Sequence, residues 1–424
     1  MIDEKLFQFI WKHRHFQQSG LVSTDGEPIQ IRNTGQLNND QGPDFLMASI
    51  QVGAISLVGH VELHIRSSDW LKHGHQHDPR FAYIILHVVW ENDVSLELSA
   101  PTLVLQPYVA AGLFDHYKQL MQMTKEIPCA SFLPQLNALQ WLVWQERLMV
   151  EKLAAKVDLF IEQKQKNKVS WEEVLWWKVA RYFGGKVNAD LFEQVATTVS
   201  LALISKLRSN RIQIEALLLG QANLLEQDFI ESYPKMLQKE FRFLQSKYSL
   251  QKVEIQPSFL RMRPVAFPGV RLSQLSAFIQ HKPSIFSTCL ESKHAQELVA
   301  LFDVVANDYW HYHFVFDQET LYQPKALGKE TVWRIIVNAI VPVLFAFAHE
   351  QKNEQLKEKL LLWLHQIPAE DNILLRQWKK YSIPVRTALE AQSLLWLTEQ
   401  YCQVQKCLQC AVGADILRRG SATN

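Results

Sequence analysis

Two carboxylates and a histidine pose the first chemical question. Asp44 follows Gly42-Pro43, and after 17 intervening residues comes Glu62-Leu63-His64. Carboxylates that converge on one edge bind a hard divalent cation such as Mg²⁺ or Mn²⁺, with carbonyl oxygen and water completing the shell. Such an ion acidifies bound water and stabilises the charge that develops at a phosphoryl centre. A neutral His64 on the same strand face accepts a proton from water; as imidazolium it offsets phosphate charge. The same residues have plainer uses. An Asp after Gly-Pro is a common turn residue, and a Glu-x-His pair on one strand face forms a surface hydrogen bond.

Six of the 15 histidines (His60, His64, His73, His75, His77 and His87) fall within 28 residues, with Asp69 and Asp78 among them. The run from Asp69 to Asp78 has the ligand types and close spacing of Zn²⁺ or Fe²⁺ sites. It resembles the HxHxDH run of metallo-β-lactamase-like hydrolases, with the last two residue types exchanged and without that fold's glycine-rich turn. The competing reading is a cleft wall or a helix cap. Near the C-terminus, Cys402-x4-Cys407-x2-Cys410 supplies three soft ligands, and a closed Zn²⁺ or iron–sulfur site needs four. Cys129 is the most economical fourth; small apolar packing or a redox-labile pair are the alternatives. Arg261, Arg263 and Arg271 crowd a Pro-rich loop at 257–272, ahead of a helix expected from near Ser273. Guanidinium forks and a helix N-terminus both favour phosphate oxygens, although arginines in such loops also tie helices together.

The elements that must position these groups are legible from periodicity. Leu6, Phe7, Ile10 and Trp11 have helical spacing, so 4–16 reads as an amphipathic helix. Asn33 to Pro43 reads as a loop, and 45–52 and 55–66 as strands about Gly53. The second strand alternates: Leu57, Gly59, Val61, Leu63 and Ile65 face one way, His60, Glu62, His64 and Arg66 the other. The apolar run 83–90 is that of a strand covered on both faces. Short strands are expected at 96–98 and 103–105. From Leu139 onward, apolar spacings of 3 and 4 dominate, which predicts helices. The run Ile335 to Ala348 is broken by Pro342 and falls short of the roughly 20 residues that span a bilayer, so it reads as a core helix.

These signals predict an α+β chain: residues 1–125 as a mixed sheet with a flanking helix, and residues 126–424 as a larger, mostly helical domain. With 424 residues, 48% of them hydrophobic, disordered and collagen-like classes are excluded. Residues 1–125 carry 9 basic and 13 acidic side chains, so a net charge of +1 hides an acidic N-terminal region. That region repels phosphodiesters unless a divalent metal neutralises it. No basic, uninterrupted apolar leader opens the sequence, and five cysteines are unlike a secreted disulfide framework; a cytoplasmic protein without a membrane partner is expected.

The order helix, loop, Pro43-Asp44, strand, turn, strand with Glu62-Leu63-His64, final apolar strand resembles the PD-(D/E)XK nuclease core. That resemblance implies a restriction-endonuclease-like fold, Mg²⁺ or Mn²⁺ on Asp44 and Glu62, and Glu4 as an accessory acid. His64 stands where the family has Lys. The implied activity is metal-dependent hydrolysis of DNA or RNA, with Arg261, Arg263 and Arg271 on phosphate and with Asp69, His73, His75, Asp78 and His87 in the cleft. The alternatives are a catalytically inactive nucleic-acid or protein-binding module, and a zinc-type hydrolase built on residues 73–78. Over nearly its full length the chain also resembles a bacterial family of proteins of unknown function. The matching features are Asn38-x-Asp40-x-Gly42-Pro43-Asp44-Phe45, Gly59-x-Val61-Glu62-x-His64, Ser68-Asp69-Trp70, His73-x-His75-x-x-Asp78, Ile85 to Val89, Arg261-x-Arg263-Pro264 and the terminal cysteines.

Overall fold

A computed structural model of the chain describes every residue except 1, 39, 123–126, 134–136, 282–283 and 423–424. Packing divides the chain into two compact units, Met1–Trp141 with Leu397–Asn424, and Leu142–Trp396. The expected boundary at 125/126 lies outside the described residues. The C-terminal cysteines, counted with the helical region on sequence, fall in the first unit.

The first unit opens with helix α1 (Glu4–Lys12). Asp3 caps it by accepting the Leu6 N–H at 2.7 Å, and Leu6, Phe7, Ile10 and Trp11 are buried. Seven strands follow: β1 (Leu21–Val22), β2 (Pro28–Asn33), β3 (Gln36–Leu37), β4 (Phe45–Val52), β5 (Ile55–Arg66), β6 (Ile84–Glu91) and β7 (Thr102–Val104). Their order is β1-β2-β4-β5-β6-β7, with β3 also paired to β4. The strands β1 to β5 pair antiparallel, whereas β6 runs parallel to β5 and β7 parallel to β6. A parallel neighbour needs a crossover, and helix α2 (Asp69–Lys72) with two short 3₁₀ turns provides it between β5 and β6.

The apolar run 84–91 lies where parallel strands are covered on both sides, with Leu86, His87, Val88 and Val89 buried. Residues 96–98 form no strand. Gly59 is required where β5 meets the start of β6, since a Cβ there would lie 2.6 Å from the Tyr83 carbonyl oxygen and 2.4 Å from Ile85 Cγ2. The β4–β5 register shifts between Phe45 and Ala48. Within that bulge Met47 takes φ +56° and stays exposed. Bulges of this kind turn the strand end and re-aim its neighbours, here Asp44.

The second unit is helical, as the 3–4 spacing predicts. Its core buries Trp176, Phe183, Phe192, Phe278, Phe302, Trp310 and Trp363. The helix expected near Ser273 starts at Pro268, the ring having φ preset for the first turn. One helical stretch, Lys329–Glu350, is long and apolar enough by composition to cross a membrane, and 72% of its apolar window is buried within the fold. Pro342, which lacks an N–H, follows a π-helical turn at Ile336–Ile340 that shifts the hydrogen-bond ladder ahead of it.

Candidate metal centre

Strand pairing brings Asp44 and Glu62 together. Phe45 lies opposite Val61 in the antiparallel β4–β5 ladder, which places Asp44 across from Glu62. The Asp44 backbone N–H donates to Glu62 Oε2 at 3.0 Å. Asp44's own carboxylate accepts from Gln8 Nε2 on α1 at 2.8 Å and from the Leu63 N–H at 3.0 Å. Both acids are pushed up by burial, Asp44 to about 6 and Glu62 to about 9; for Glu62 the Asp44 charge adds to burial. Glu4, exposed on the first turn of α1, is close enough to raise both further. Two buried carboxylates that resist joint ionisation accommodate either a proton or a cation.

The histidines join the same group. His64 lies two residues beyond Glu62 on β5, and His87 is the register partner of Glu62 on β6. The α2 crossover carries His73 and His75 back over this end of the sheet. His64 Nδ1 lies 2.9 Å from His87 Nε2, and His64 Nε2 lies 3.2 Å from His73 Nδ1. Glu62 Oε1 is 3.6 Å from His64 Nε2 and 3.3 Å from His75 Nε2. One ligand atom from each of His64, His73 and His75 falls within 4.8 Å of the others.

Burial, with the neighbouring imidazoles adding to it, depresses His64 to about 3 and His87 to about 4, and lowers His75 as well. These rings are therefore neutral, the state in which imidazole ligates a metal. A proton on Nδ1, donated to His87 Nε2, would leave the His64 Nε2 lone pair facing Glu62 and His73. A ligand histidine held by a second residue at its other nitrogen is the usual outer-shell arrangement. His75 Nε2 is buried without a hydrogen-bond partner, as is His87 Nδ1. The grouped ring nitrogens of His64, His73 and His75 fit a divalent ion, and Glu62 Oε1 stands 3.3–3.6 Å from two of them.

Aromatic packing and a cap fix the crossover. The Phe81 ring stacks on His75 at 3.8 Å between centroids, and Trp70 packs edge-on against His64 and His75. Asp93 accepts from the Ser67 and Ser68 hydroxyls and the Ser68 N–H, anchoring the start of the crossover. Sequence reasoning missed Gln8, Phe81 and Asp93, and gave Trp70 only within the Ser68-Asp69-Trp70 family match. Gln8 carried a usable signal, one turn from Glu4 on the same helix face.

The remaining candidates lie elsewhere. Asp69 is bonded to Lys72 Nζ at 2.6 Å and to the Arg66 N–H at 3.1 Å. Asp78 is engaged by Arg80, with its closest contact at 2.6 Å. Both acids of the histidine insert are thus bound to neighbours along the chain. Arg261, Arg263 and Arg271 belong to the second unit. Arg261 and Arg263 are exposed, whereas the Arg271 guanidinium donates to Gln274 Oε1 at 3.0 Å and Thr331 Oγ1 at 3.3 Å, the helix-tying use of an arginine. A cavity of about 420 Å³ in that unit is lined by Lys329, Arg334, Glu330, Glu370 and Asp371 among others, a mixed-charge wall that does not select an anion.

A family model described as "Protein of unknown function (DUF2851)" matches residues 4–373. The chain belongs to that family. The matched span takes in the whole Asp44–His87 group and Cys129, and ends before Cys402. No curated protein and no solved structure matches the chain.

Proposed function

We propose that the first unit hydrolyses phosphodiester bonds of nucleic acid with a divalent transition-metal ion held by Glu62, His64, His73 and His75. The observation that carries this reading is the gathering of the His64, His73 and His75 imidazoles beside the Asp44–Glu62 carboxylate pair. Helix, antiparallel strands, crossover helix and parallel strand follow one another as in a PD-(D/E)XK core, which supports the nuclease class over other hydrolases. Imidazole-rich donors suit Mn²⁺, Fe²⁺ or Zn²⁺ better than Mg²⁺.

When bound, the ion supplies an acidified water and offsets charge on phosphoryl oxygens. The protein's own groups do the rest. Asp44 orients Glu62 through its backbone N–H, and its carboxylate, beside Glu62, takes the proton of the attacking water. His87 fixes the tautomer of His64. Gln8 and the Leu63 N–H keep the Asp44 side chain in place.

The test is cleavage of single-stranded, duplex and branched DNA and RNA by the full chain with Mn²⁺, Fe²⁺, Zn²⁺ or Mg²⁺. Cleavage with one of the first three, lost by orders of magnitude in Glu62→Gln, supports the reading. Metal binding without cleavage of any of these substrates, and nucleic-acid affinity unchanged by Glu62→Gln, would favour the inactive binding module. The set of three histidines and one glutamate also suits a zinc-type hydrolase of other substrates. Hydrolysis of simple phosphate or carboxylic esters with no action on nucleic acid would select it.

A further inference from the structure

All five cysteines are buried, and four of them lie in the first unit. Cys129 has Cys402, Cys407 and Cys410 as electrostatic neighbours, although more than 270 residues separate it from them in the chain. Cys402 ends a π-helical turn, Cys407 opens a single 3₁₀ turn, and the Cys410 N–H donates to the Cys407 carbonyl at 3.3 Å. The helix Ala411–Ala422 is seated on this turn, since a Cβ on Gly413 would lie 2.1 Å from the Cys407 carbonyl oxygen. The same helix is tied back at Ile416, whose carbonyl accepts from His116 Nδ1 at 3.1 Å.

We propose that Cys129, Cys402, Cys407 and Cys410 form a four-thiolate metal centre that pins together the two chain segments of the first unit. Cys129 precedes the point at which the chain leaves this unit at Leu142, and Cys402 follows its return at Leu397. A link between them closes a loop containing the whole second unit, and the stabilisation from closing a loop grows with its length. A redox-active pair is the poorer account. Reactive thiols sit beside cations in partly exposed places, whereas these four are buried.

Tetrathiolate chemistry is shared by a zinc ion and an iron–sulfur cluster. Sulfurs around zinc lie about 2.3 Å from the metal and hence close together. Among the described residues, the group with ligand atoms within 4.8 Å of one another is the histidine trio rather than these thiols. The wider spread suits the larger body of a cluster.

The experiment uses full-length protein purified anaerobically without chelator, assayed for iron, acid-labile sulfide and zinc, and by visible absorption. Iron with equivalent sulfide identifies a cluster, and one zinc per chain that persists in the His73→Ala/His75→Ala double variant identifies a single ion at the thiols; either supports the centre. Cys129→Ser and Cys407→Ser should each lower that metal at least tenfold. Cys289→Ser, in the other unit, and the His73→Ala/His75→Ala double variant should leave it unchanged. Because a serine variant can simply misfold, alkylation of the unmutated native protein is read by mass spectrometry as well. The four thiols should resist labelling until the metal is stripped, then label together. No metal as purified or after reconstitution with Fe²⁺ and sulfide or with Zn²⁺ would overturn the proposal, as would labelling of the four thiols that metal does not change.

Discussion

His64 is the residue on which the two chemical readings part. In the nuclease resemblance it stands at the position of a water-positioning lysine, while the geometry sets its Nε2 3.2 Å from His73 Nδ1 and 3.6 Å from Glu62 Oε1. His64→Lys separates the roles. A lysine that merely offsets phosphate charge would keep cleavage, whereas loss of a ligand should lower metal affinity at least tenfold and abolish activity; we expect the latter, read by metal titration and cleavage. Glu62→Gln keeps side-chain volume and removes the anion, so metal affinity should fall by orders of magnitude while, in metal-free protein, the fold becomes no less stable. Calorimetry with and without Mn²⁺ or Zn²⁺ checks both halves of that statement. The shared face of Glu62 and His64 was legible in the sequence because a strand has a period of two. The return of His73 and His75 was not, because spacing along a loop says nothing about where the loop folds back.

At the level of elements, the β5–β6 crossover is the part that the site depends on. The alternation in 55–66 and the apolar run after it disclose two strands, yet nothing local says that the second runs parallel to the first. That outcome follows from the crossover between them, where Asp93 holds Ser67 and Ser68 and the Phe81 ring stacks on His75. Asp93→Ala should therefore loosen residues 68–78 and weaken metal binding by roughly 10- to 100-fold, the usual effect of losing an outer-shell support. Circular dichroism should show the sheet intact. Gly59 is a stiffer constraint, since its Cβ position is occupied by the Tyr83 carbonyl and the Ile85 side chain. Gly59→Ala should cost about 1–3 kcal/mol by overpacking, measured as a lowered denaturation midpoint. The bulge before Ala48 was equally hidden, because Met47 at φ +56° is a residue type that ordinarily avoids that conformation.

For the whole molecule, the return of 397–424 to the first unit is the feature that local patterns conceal most completely, since helical spacing runs unbroken in type from one unit into the other. The global consequence of the buried site is a pH dependence of stability. Metal-free Glu62 stays protonated in the fold up to about 9, while in the unfolded chain it ionises near 4.5. Between those values the folded state holds more protons, so Glu62 favours folding at low pH and that advantage drains away as pH rises. His64 and His87 act in the opposite sense. Their folded values of about 3 and about 4 lie below 6.5, so the unfolded chain binds more protons there and stability rises with pH up to about 6.5. Asp44 opposes them only up to about 6. Above pH 6.5 the histidine terms are complete and, of this site, Glu62 remains, joined toward pH 9 by the buried thiols whose ionisation the fold also opposes. The metal-free chain should be most stable near pH 6–7 and lose stability toward pH 9, the unfolding constant rising by up to about tenfold per pH unit. Glu62→Gln should flatten that alkaline limb, and so should saturating Mn²⁺ or Zn²⁺, because the ion replaces the proton. Urea denaturation at several pH values tests this; an alkaline limb that survives both changes would place the linkage on groups other than this site.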